Sequence, residues 1–183
     1  EEIGNHGMKV SIKTQEGKEP EPFRVSAFYF KEGNGLYVIL RYSGKDALEL
    51  FDKLMESLSY TGLGGKKSSG LGRFEYVSRK LPESLEQRFT GKYKRYMLIS
   101  SALPEPEALE TVLENASYNI LKRGGFVDSE TYADRYMRKR ERYVFAPGSC
   151  FTQIFDGTVI EENNGGRHPI FRCEKALFLG VNV

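Results

Sequence analysis

The sequence predicts an α+β fold, because β-rich segments alternate along the chain with two segments whose apolar residues recur at helical spacing. The β-rich segments, among them "FRVSAFYF", "YMLISSAL" and "ALFLGV", carry the β-branched and aromatic residues that favour strands. Taken in order, the segments run strand, helix, strand, strand, helix, strand. That order is typical of the ferredoxin-like (RRM-like) β-α-β-β-α-β domain.

The first 22 residues are polar and differ in composition from the rest. They contain glycine and end near "KEPEP", a composition typical of a loop or a mobile connection. We therefore predict a junction, or the tail of an upstream domain, over residues 1–22 and a C-terminal domain over residues 23–183. Because the chain begins with Glu1 and its first methionine is Met8, we expect it to lie inside a longer protein.

The next segments predict a β-hairpin and the first helix. "FRVSAFYF" and "LYVILRY" flank "KEGNG", which is a turn signal between two β-rich runs. From Ala47 to Leu58 the apolar residues recur at helical spacing, after a cap at Ser43 or Gly44. A glycine-rich loop ends this helix, and "RFEYV" predicts the strand that follows.

The second half repeats this plan. "YMLISSAL" predicts a strand, and a helix is expected from Glu107, with Leu109, Val112 and Leu113 on one face. "YNILK", "RYVFA" and "ALFLGV" predict the remaining strands. The first hairpin and residues 124–142 are then insertions on the ferredoxin-like plan.

The amino-acid composition of the chain restricts which classes of function are possible. With 27 lysines and arginines against 25 aspartates and glutamates, the net charge of +2 is too small to indicate nucleic-acid binding by the whole surface. Any such binding has to come from local clusters. No apolar run approaches the roughly 18 residues of a membrane span, and no segment resembles an export signal, so we expect a cytoplasmic protein without a membrane partner.

The two cysteines of the sequence limit which metal or redox sites the protein can contain. Cys150 and Cys173 lack the CxxC spacing of zinc ligands and have no histidine pair nearby, so the sequence predicts neither a metal site nor a cofactor. In a reducing cytoplasm we expect both to be buried thiols. A disulfide between them stays open as the alternative.

Residues 60–74, "YTGLGGKKSSGLGRF", contain five glycines, two lysines, two serines and an arginine. Glycine is needed where the backbone takes a positive φ or where a ligand comes close to it. Backbone amides, hydroxyls and cations together predict a loop that lies against an extended phosphate chain. A connecting loop whose lysines face water is the alternative.

The loop does not fit the nucleotide-binding patterns. If Gly65 and Lys66 are the GK pair of a P-loop, Tyr60 stands where the first glycine belongs and Lys67 stands where serine or threonine belongs. Lys67 also occupies the last glycine position of the dinucleotide-binding pattern. The sequence therefore excludes a nucleotide-hydrolysing loop.

The loop sequence "GLGGKKSSGLGRF" resembles the glycine-rich loop of the RAMP superfamily, the RNA-binding subunits of CRISPR effector complexes. More narrowly, the chain resembles the type III-A (Csm) subunits that hold the 5′ end of the guide RNA. "ILKRGGFV", "YVFAPGSCF" and "HPIFRCEKALFLGV" occur in the order and spacing of the C-terminal half of those subunits. Together these motifs cover most of residues 24–183.

The resemblance implies a non-catalytic subunit that grips the repeat-derived 5′ handle of the guide RNA in an interference complex. It also implies docking to the large polymerase-like subunit and contact with a backbone RAMP subunit. The residues implied to lie against the guide RNA are Gly64, Gly65, Lys66, Lys67, Ser68, Ser69, Gly70, Gly72 and Arg73.

A second group of residues is predicted to contact RNA or a subunit. Lys9 and Lys13 lie in the first segment, where the family usually has a different stretch. The others are Arg123, Gly124 and Gly125 in "RGGFV", and Arg167 and His168 in "GGRHPIF".

"GKYKRYM" and "DRYMRKRERYVF" interleave basic and aromatic residues, a pattern found in RNA contacts. In the second segment Arg138, Arg140 and Arg142 alternate, so we favour the solvent face of a strand, with an RNA or subunit contact as the alternative.

Two other functions stay open. A metal-independent endoribonuclease of the same superfamily would use a histidine near the RNA, and His6 and His168 are the two histidines of the sequence. His168 precedes Pro169 in a turn-like context, which favours a structural role. The third reading is a scaffold whose glycine loop contacts protein.

Overall fold

The computed structural model describes residues 2–14, 16–17, 19–127, 129, 131–163 and 165–182. The chain forms two compact units, Glu1–Val77 (unit 1) and Ser78–Val183 (unit 2). Each contains helices and antiparallel strand pairs, which confirms the mixed α and β composition. The predicted division at residue 22 stays a prediction.

Unit 1 begins with a long two-stranded ribbon. Strand β1 (Gly4–Lys13) runs antiparallel to β2 (Glu21–Phe30). The prediction of a loop over the first segment is therefore wrong. Met8, Val10 and Ile12 alternate with other residues at the two-residue period of a strand, and this signal outweighs the polar composition.

The predicted hairpin between β2 and "LYVILRY" is also wrong. Its turn forms, because the Asn34 amide donates to the Lys31 carbonyl over 3.0 Å. The segment that follows, residues 36–42, forms no strand, and Leu36 and Tyr37 are 81% and 86% exposed. The turn signal was correct, but β2 pairs with a strand upstream of it.

Helix α1 (Lys45–Thr61) confirms the first predicted helix. It ends where Gly62 takes a φ of 88°, and the Gly62 amide donates to the Leu58 carbonyl over 2.7 Å. The strand predicted at "RFEYV" does not form. Instead the Tyr76 hydroxyl donates to the Asp52 carbonyl of α1 over 3.1 Å.

Within the described residues, unit 2 is built on three antiparallel sheets. In chain order its elements are α2 (Glu83–Thr90), β3 (Arg95–Leu98), α3 (Leu109–Leu113), β4 (Ile120–Arg123), β5 (Arg142–Phe145), β6 (Cys150–Phe151), β7 (Gly157–Glu162), β8 (Ile170–Lys175) and β9 (Phe178–Val181). The sheets are β6-β3-β9, β4-β5 and β7-β8. Helix α2 contacts β9.

The strands predicted in the second half are confirmed as β3, β4, β5 and β9. The helix expected from Glu107 is confirmed as the short α3, which follows a 3-10 turn over Pro106–Ala108. Helix α2 and strands β6, β7 and β8 were not predicted. The ferredoxin-like order is not confirmed, because the strand expected at "RFEYV" between the two predicted helices does not form.

The hydrophobic core lies in unit 2. Its aromatic centre is Phe151, which is fully buried and packs edge-to-face against Phe145 and Phe178, with ring centres 5.1 and 5.8 Å apart. Helix α1 of unit 1, by contrast, contains no buried residue. The buried cluster consists of Leu98, Ala102, Val112, Phe145, Phe151, Ala176 and Phe178.

Candidate nucleic-acid interface

The glycine loop of residues 62–73 is closed at its neck by backbone contacts. The Leu63 amide donates to the Gly72 carbonyl over 2.8 Å. Gly72 takes a φ of 81°, and a Cβ atom there would overlap the Leu63 carbonyl. Glycine is therefore required at Gly72 both for its backbone conformation and for this close approach.

The tip of the loop is a compact turn. Lys66 adopts the left-handed conformation with a φ of 59°, and a 3-10 turn follows over Lys67–Ser69. The Ser69 amide donates to the Lys66 carbonyl over 3.0 Å, and the Gly70 amide donates to the Lys67 carbonyl over 2.9 Å. All of the side chains from Lys66 to Ser69 are exposed. The backbone thus holds a row of polar groups at the surface.

The amides of Gly64 and Gly65 have no acceptor within the described ranges, and a Cβ on either glycine would meet no neighbouring atom. Both residues are exposed. Successive amides in left-handed and turn conformations form concave sites that bind anions. The N-terminal arm of the loop has this character.

Positive charge is concentrated at the same loop. The Lys66 ammonium lies 4.5 Å from the centre of the Phe23 ring, so β2 positions it through a cation–π contact. Lys67 and Arg73 are exposed. Among the residues that the structure describes, none of these three cations has an acidic partner.

The structure brings two further predicted residues to the same side of the ribbon. Phe23 lies opposite Ser11 in the register of β1 and β2. Because side chains alternate along a strand, Lys9 and Lys13 share the face of Ser11 and Phe23. Lys66 therefore packs against the face that carries Lys9 and Lys13, although more than 50 residues separate them in the chain.

The two histidines are held by structural contacts. His168 Nδ1 lies 2.9 Å from the Pro169 carbonyl oxygen, which assigns the proton to this nitrogen. Its Nε2 then accepts from the Ser129 hydroxyl over 3.0 Å. The exposed His6 packs edge-to-face on Phe28, with ring centres 5.0 Å apart. The structural role predicted for His168 fits this geometry.

The other predicted residues of unit 2 lie at two places. Arg123, at the end of β4, donates to the Ser101 hydroxyl over 3.1 Å, and the exposed Gly124 and Gly125 follow it. Arg167 is bound to Asp134 in an ion pair. Unit 2 therefore does not gather these candidates into one cluster.

The prediction that Arg138, Arg140 and Arg142 form a solvent face is confirmed for Arg138 and Arg140, which are exposed, and is wrong for Arg142. Arg142 donates from Nε to Oε1 of the buried Glu162 over 2.9 Å. The guanidinium carbon of Arg138 lies 5.7 Å from the centre of the Phe126 ring. The partner of Arg142 comes from a distant segment, so the alternation of residues alone did not reveal it.

An ion pair on the β4–β5 hairpin changes two pKa values. Lys122 Nζ lies 2.7 Å from Glu141 Oε2. The hydrogen bond and the charge of Glu141 raise the pKa of Lys122, and the hydrogen bond and the charge of Lys122 lower the pKa of Glu141. Both side chains are about half exposed.

The cysteines differ from the expectation in their burial. Cys150 and Cys173 are unbridged thiols, and Cys173 is exposed because it lies on the outward face of β8. Over the described ranges, no group of three or more His, Cys, Asp or Glu residues is arranged to hold a metal ion. None of the helices described has the length and apolarity needed to cross a bilayer.

Sequence reasoning missed one cluster, formed by Phe126, Tyr136 and Arg138. The rings of Phe126 and Tyr136 lie 6.4 Å apart, and Phe126 pairs with Arg138 in an isolated antiparallel bridge. Both parent segments, "RGGFV" and "DRYMRKRERYVF", carry a recognisable signal of glycine, basic and aromatic residues. The strand register that joins them is not readable from either segment alone.

The fold is shared with a solved CRISPR structure. The chain matches a chain in the crystal structure of the Csm3–Csm4 subcomplex of the type III-A CRISPR-Cas interference complex, with a TM-score of 0.59 and 17% sequence identity. The match covers 97% of this chain and 53% of that one. At this level of identity the likeness shows a common fold.

Sequence comparison places the chain in the class of CRISPR-associated proteins. Two Mycobacterium tuberculosis proteins, from strains CDC 1551 / Oshkosh and ATCC 25618 / H37Rv, are each named CRISPR system Cms protein Csm4. Each is 35% identical over 180 residues, which is 98% of this chain and 58% of the relative. The Streptococcus thermophilus protein of the same name is 35% identical over 173 residues, which is 93% of this chain and 56% of the relative.

Residues 91–181 match the family described as the CRISPR Csm4 C-terminal domain. This part of the chain is a Csm4 C-terminal domain, and nearly the whole chain is similar in sequence to Csm4 proteins. This confirms the resemblance noted in the motifs, since "ILKRGGFV", "YVFAPGSCF" and the C-terminal motif all lie inside or close to the matched range. The chain spans little more than half the length of these curated relatives.

Proposed function

We propose that the chain is a non-catalytic RNA-binding subunit of a type III-A CRISPR interference complex, acting in antiviral defence in the cytoplasm. The observation that carries the proposal is the glycine loop of unit 1, with its exposed amides and its three cations. In this proposal the loop holds the repeat-derived 5′ handle of the guide RNA. The Csm4 C-terminal domain and the similarity to Csm4 proteins support the assignment to such a complex.

The chemistry of the loop suits a phosphate chain. The amides of Gly64 and Gly65 donate to phosphate oxygens, and Lys66 and Lys67 supply the opposite charge. Glycines on both sides of the tip, at positions 64, 65, 70 and 72, carry no side chains that would keep the nucleotide backbone away. Ser68, Ser69 and Arg73 add donors along the same exposed arc.

The ribbon extends the footprint beyond the loop. Lys9 and Lys13 share the ribbon face against which Lys66 packs, so phosphates that leave the loop meet further cations there. Contacts to phosphate are independent of base identity. The loop and ribbon therefore position the RNA, and any preference for the handle sequence comes from base contacts elsewhere.

We assign protein partners to the opposite face of the ribbon. Met8, Val10 and Ile12 lie exposed there, and exposed apolar patches mark protein contact sites. The matched structure is a subcomplex of Csm4 with Csm3, which supports a backbone RAMP subunit as one partner. The large polymerase-like subunit is the second partner in this proposal, and a ferredoxin-like arrangement of the complete domain belongs to it as well.

The setting of His168 supports a structural role for this residue. Its Nδ1 contacts the Pro169 carbonyl and its Nε2 contacts the Ser129 hydroxyl, so both contacts hold the ring in place. The endoribonuclease is the alternative function, and a cleavage assay decides between binding and turnover.

The experiment that tests the proposal is a fluorescence-anisotropy titration of the chain with a handle-bearing guide RNA and with a scrambled RNA of equal length. Afterwards the RNA is run on a denaturing gel. We expect binding that weakens as salt rises, a preference for the handle, and intact RNA. If the RNA is cleaved and the cleavage is lost in His6→Ala or His168→Ala, the chain is an endoribonuclease instead. If the chain binds no RNA, the remaining alternative is a scaffold whose glycine loop contacts protein.

A further inference from the structure

Phe126, Tyr136 and Arg138 form an exposed aromatic platform on unit 2. The Phe126 and Tyr136 rings meet nearly edge to face, at an interplanar angle of 79°. The guanidinium of Arg138 lies over the Phe126 ring. Phe126 is 56% exposed and Tyr136 is 88% exposed. Large aromatic side chains gain stability by burial, so two of them held together at the surface indicate a binding role.

The platform stands on a defined scaffold. It continues the β4–β5 hairpin, because the Lys139 amide donates to the Gly125 carbonyl over 2.9 Å and the Val127 amide donates to the Met137 carbonyl over 2.9 Å. Val127 is buried and anchors the strand that carries Phe126. The two rings are thus presented in a fixed register.

The surroundings of the platform favour an anionic, flat partner. Residues 122–142 contain seven lysines and arginines against four aspartates and glutamates. Glu141 is paired with Lys122 and Asp134 with Arg167, while Arg142 is paired with Glu162. Basic residues outnumber acidic ones in this segment of the sequence, which suits a nucleic acid better than a basic partner.

Gly125 leaves room for a nucleotide backbone. It directly precedes Phe126, and a Cβ there would meet no neighbouring atom. At Gly124 the Glu141 side chain lies 3.4 Å from the Cβ position, so the open approach to the chain is at Gly125. A sugar and its phosphate can approach the chain here while the base lies on the ring, with Arg138 close to both.

From these observations we propose that Phe126, Tyr136 and Arg138 bind an unpaired base of a single-stranded RNA by stacking. The inference rests on the proposed function and adds a second, chemically different RNA contact to the loop of unit 1. Every base has a flat π-face, so stacking on Phe126 or Tyr136 holds RNA without reading its sequence. Arg138 adds a cation that contacts the base or the adjoining phosphate.

The test compares Phe126→Ala and Tyr136→Ala with Phe171→Ala in an RNA titration at two or more salt concentrations. Phe171 is an exposed aromatic residue of β8 in the same unit and serves as the matched control. We expect each platform variant to weaken binding about 5- to 150-fold, the range for loss of one stacked base. The salt dependence stays unchanged because no cation is removed, and Phe171→Ala binds like the parent.

A spectroscopic readout separates stacking from indirect effects. In a series of guide RNAs with 2-aminopurine at successive positions, we expect the fluorescence of one position to be quenched on binding to the parent. That quenching disappears in Phe126→Ala and persists in Phe126→Trp. Tyr136 is 88% exposed and lies outside the core, so Tyr136→Ala keeps the test valid if Phe126→Ala does not fold.

The outcomes distinguish this inference from the proposed function. If the parent chain binds no RNA, both are wrong. If RNA binding depends on Lys66 and Lys67 but is unchanged in both platform variants, the platform inference alone is wrong. Unchanged RNA binding together with a failure of subunit assembly would assign the platform to a protein partner, and a flattened salt dependence in Phe126→Ala would refute stacking.

Discussion

The ammonium group of Lys66 lies 4.5 Å from the centre of the Phe23 ring, so a residue at the tip of the glycine loop is held against strand β2. The two residues are 43 positions apart in the sequence. Their contact fixes a flexible side chain before any ligand arrives, which reduces the entropy lost on binding. It also joins the loop and the basic face of the ribbon into one continuous surface of unit 1.

The first prediction concerns this contact. Phe23→Leu keeps an apolar side chain but removes the ring that positions Lys66. An exposed cation–π contact is worth about 0.5–1 kcal/mol, so we expect RNA affinity to fall about 2- to 5-fold. Phe28→Leu, on the opposite face of the same strand, is the control and leaves affinity unchanged. Equal losses in both variants, measured by titration, would mean that the ribbon as a whole had been disturbed.

The second prediction concerns the neck of the loop. Gly72→Ala places a Cβ against the Leu63 carbonyl at a φ of 81°, which costs about 1–3 kcal/mol of strain. We expect weaker RNA binding and a loop more readily cleaved by protease. Gly35→Ala is the matched control, because Gly35 lies outside the loop in the same unit, a Cβ there meets open space, and no positive φ is required. A Gly72→Ala variant that binds RNA like Gly35→Ala would show that the closed neck is dispensable.

The sequence predicts those features of this surface that arise from neighbouring residues, and misses those that depend on contacts between distant segments of the chain. Helix α1 was predictable because its signal, apolar residues three and four positions apart, is local. The glycine loop was also predictable, since five glycines in a short segment indicate backbone conformations that other residues rarely adopt. The packing of Lys66 on Phe23 was not, because it depends on the pairing of β2 with β1.

Strand pairing accounts for the remaining differences. The segment "LYVILRY" has the composition of a strand, yet β2 takes β1 as its partner and Leu36 stays exposed. In unit 2 the platform of Phe126 and Tyr136 was missed for the same reason, because it depends on the pairing of two segments. Composition marks a segment as able to pair, but it does not specify which strand is the partner or which faces the pair buries, and these determine the register that brings two side chains together.

The third prediction concerns the core of unit 2. Phe151→Ala removes the fully buried ring that packs against Phe145 and Phe178. Truncation of a buried phenylalanine costs about 3–5 kcal/mol, so we expect a large drop in the urea midpoint of unfolding. Phe171→Ala, an exposed phenylalanine of the same unit, is the control. Similar midpoints for the two variants would contradict the assigned core.

The fourth prediction concerns pH. The pKa of Glu141 is lowered from 4.5, so its contribution to stability is present above that value and is lost as the pH falls through the lower folded pKa. The pKa of Lys122 is raised from 10.5, so its contribution is present below that value and is lost as the pH rises through the folded pKa. The Lys122–Glu141 pair thus stabilises unit 2 between these limits.

The test of this pair uses Lys122→Met at pH 7 and again at a pH well below 4.5. We expect a small loss of stability at pH 7, because the pair is half exposed, and no loss at the acidic pH. Lys92→Met, at an exposed lysine of the same unit, serves as control and changes little at either pH. A loss of the same size at both pH values would assign the effect of Lys122→Met to packing.

The most direct test of the central claim is the salt dependence of RNA binding by the variant Lys66→Ala plus Lys67→Ala. Removal of one phosphate-binding cation flattens the log–log slope by about 0.7 for single-stranded RNA, so the double variant should flatten it by about 1.4. Lys45→Ala plus Lys53→Ala removes the same charge from exposed positions on α1 of the same unit and should leave the slope close to that of the parent. Equal slopes for the loop variant and the parent would show that the glycine loop is not part of the RNA interface.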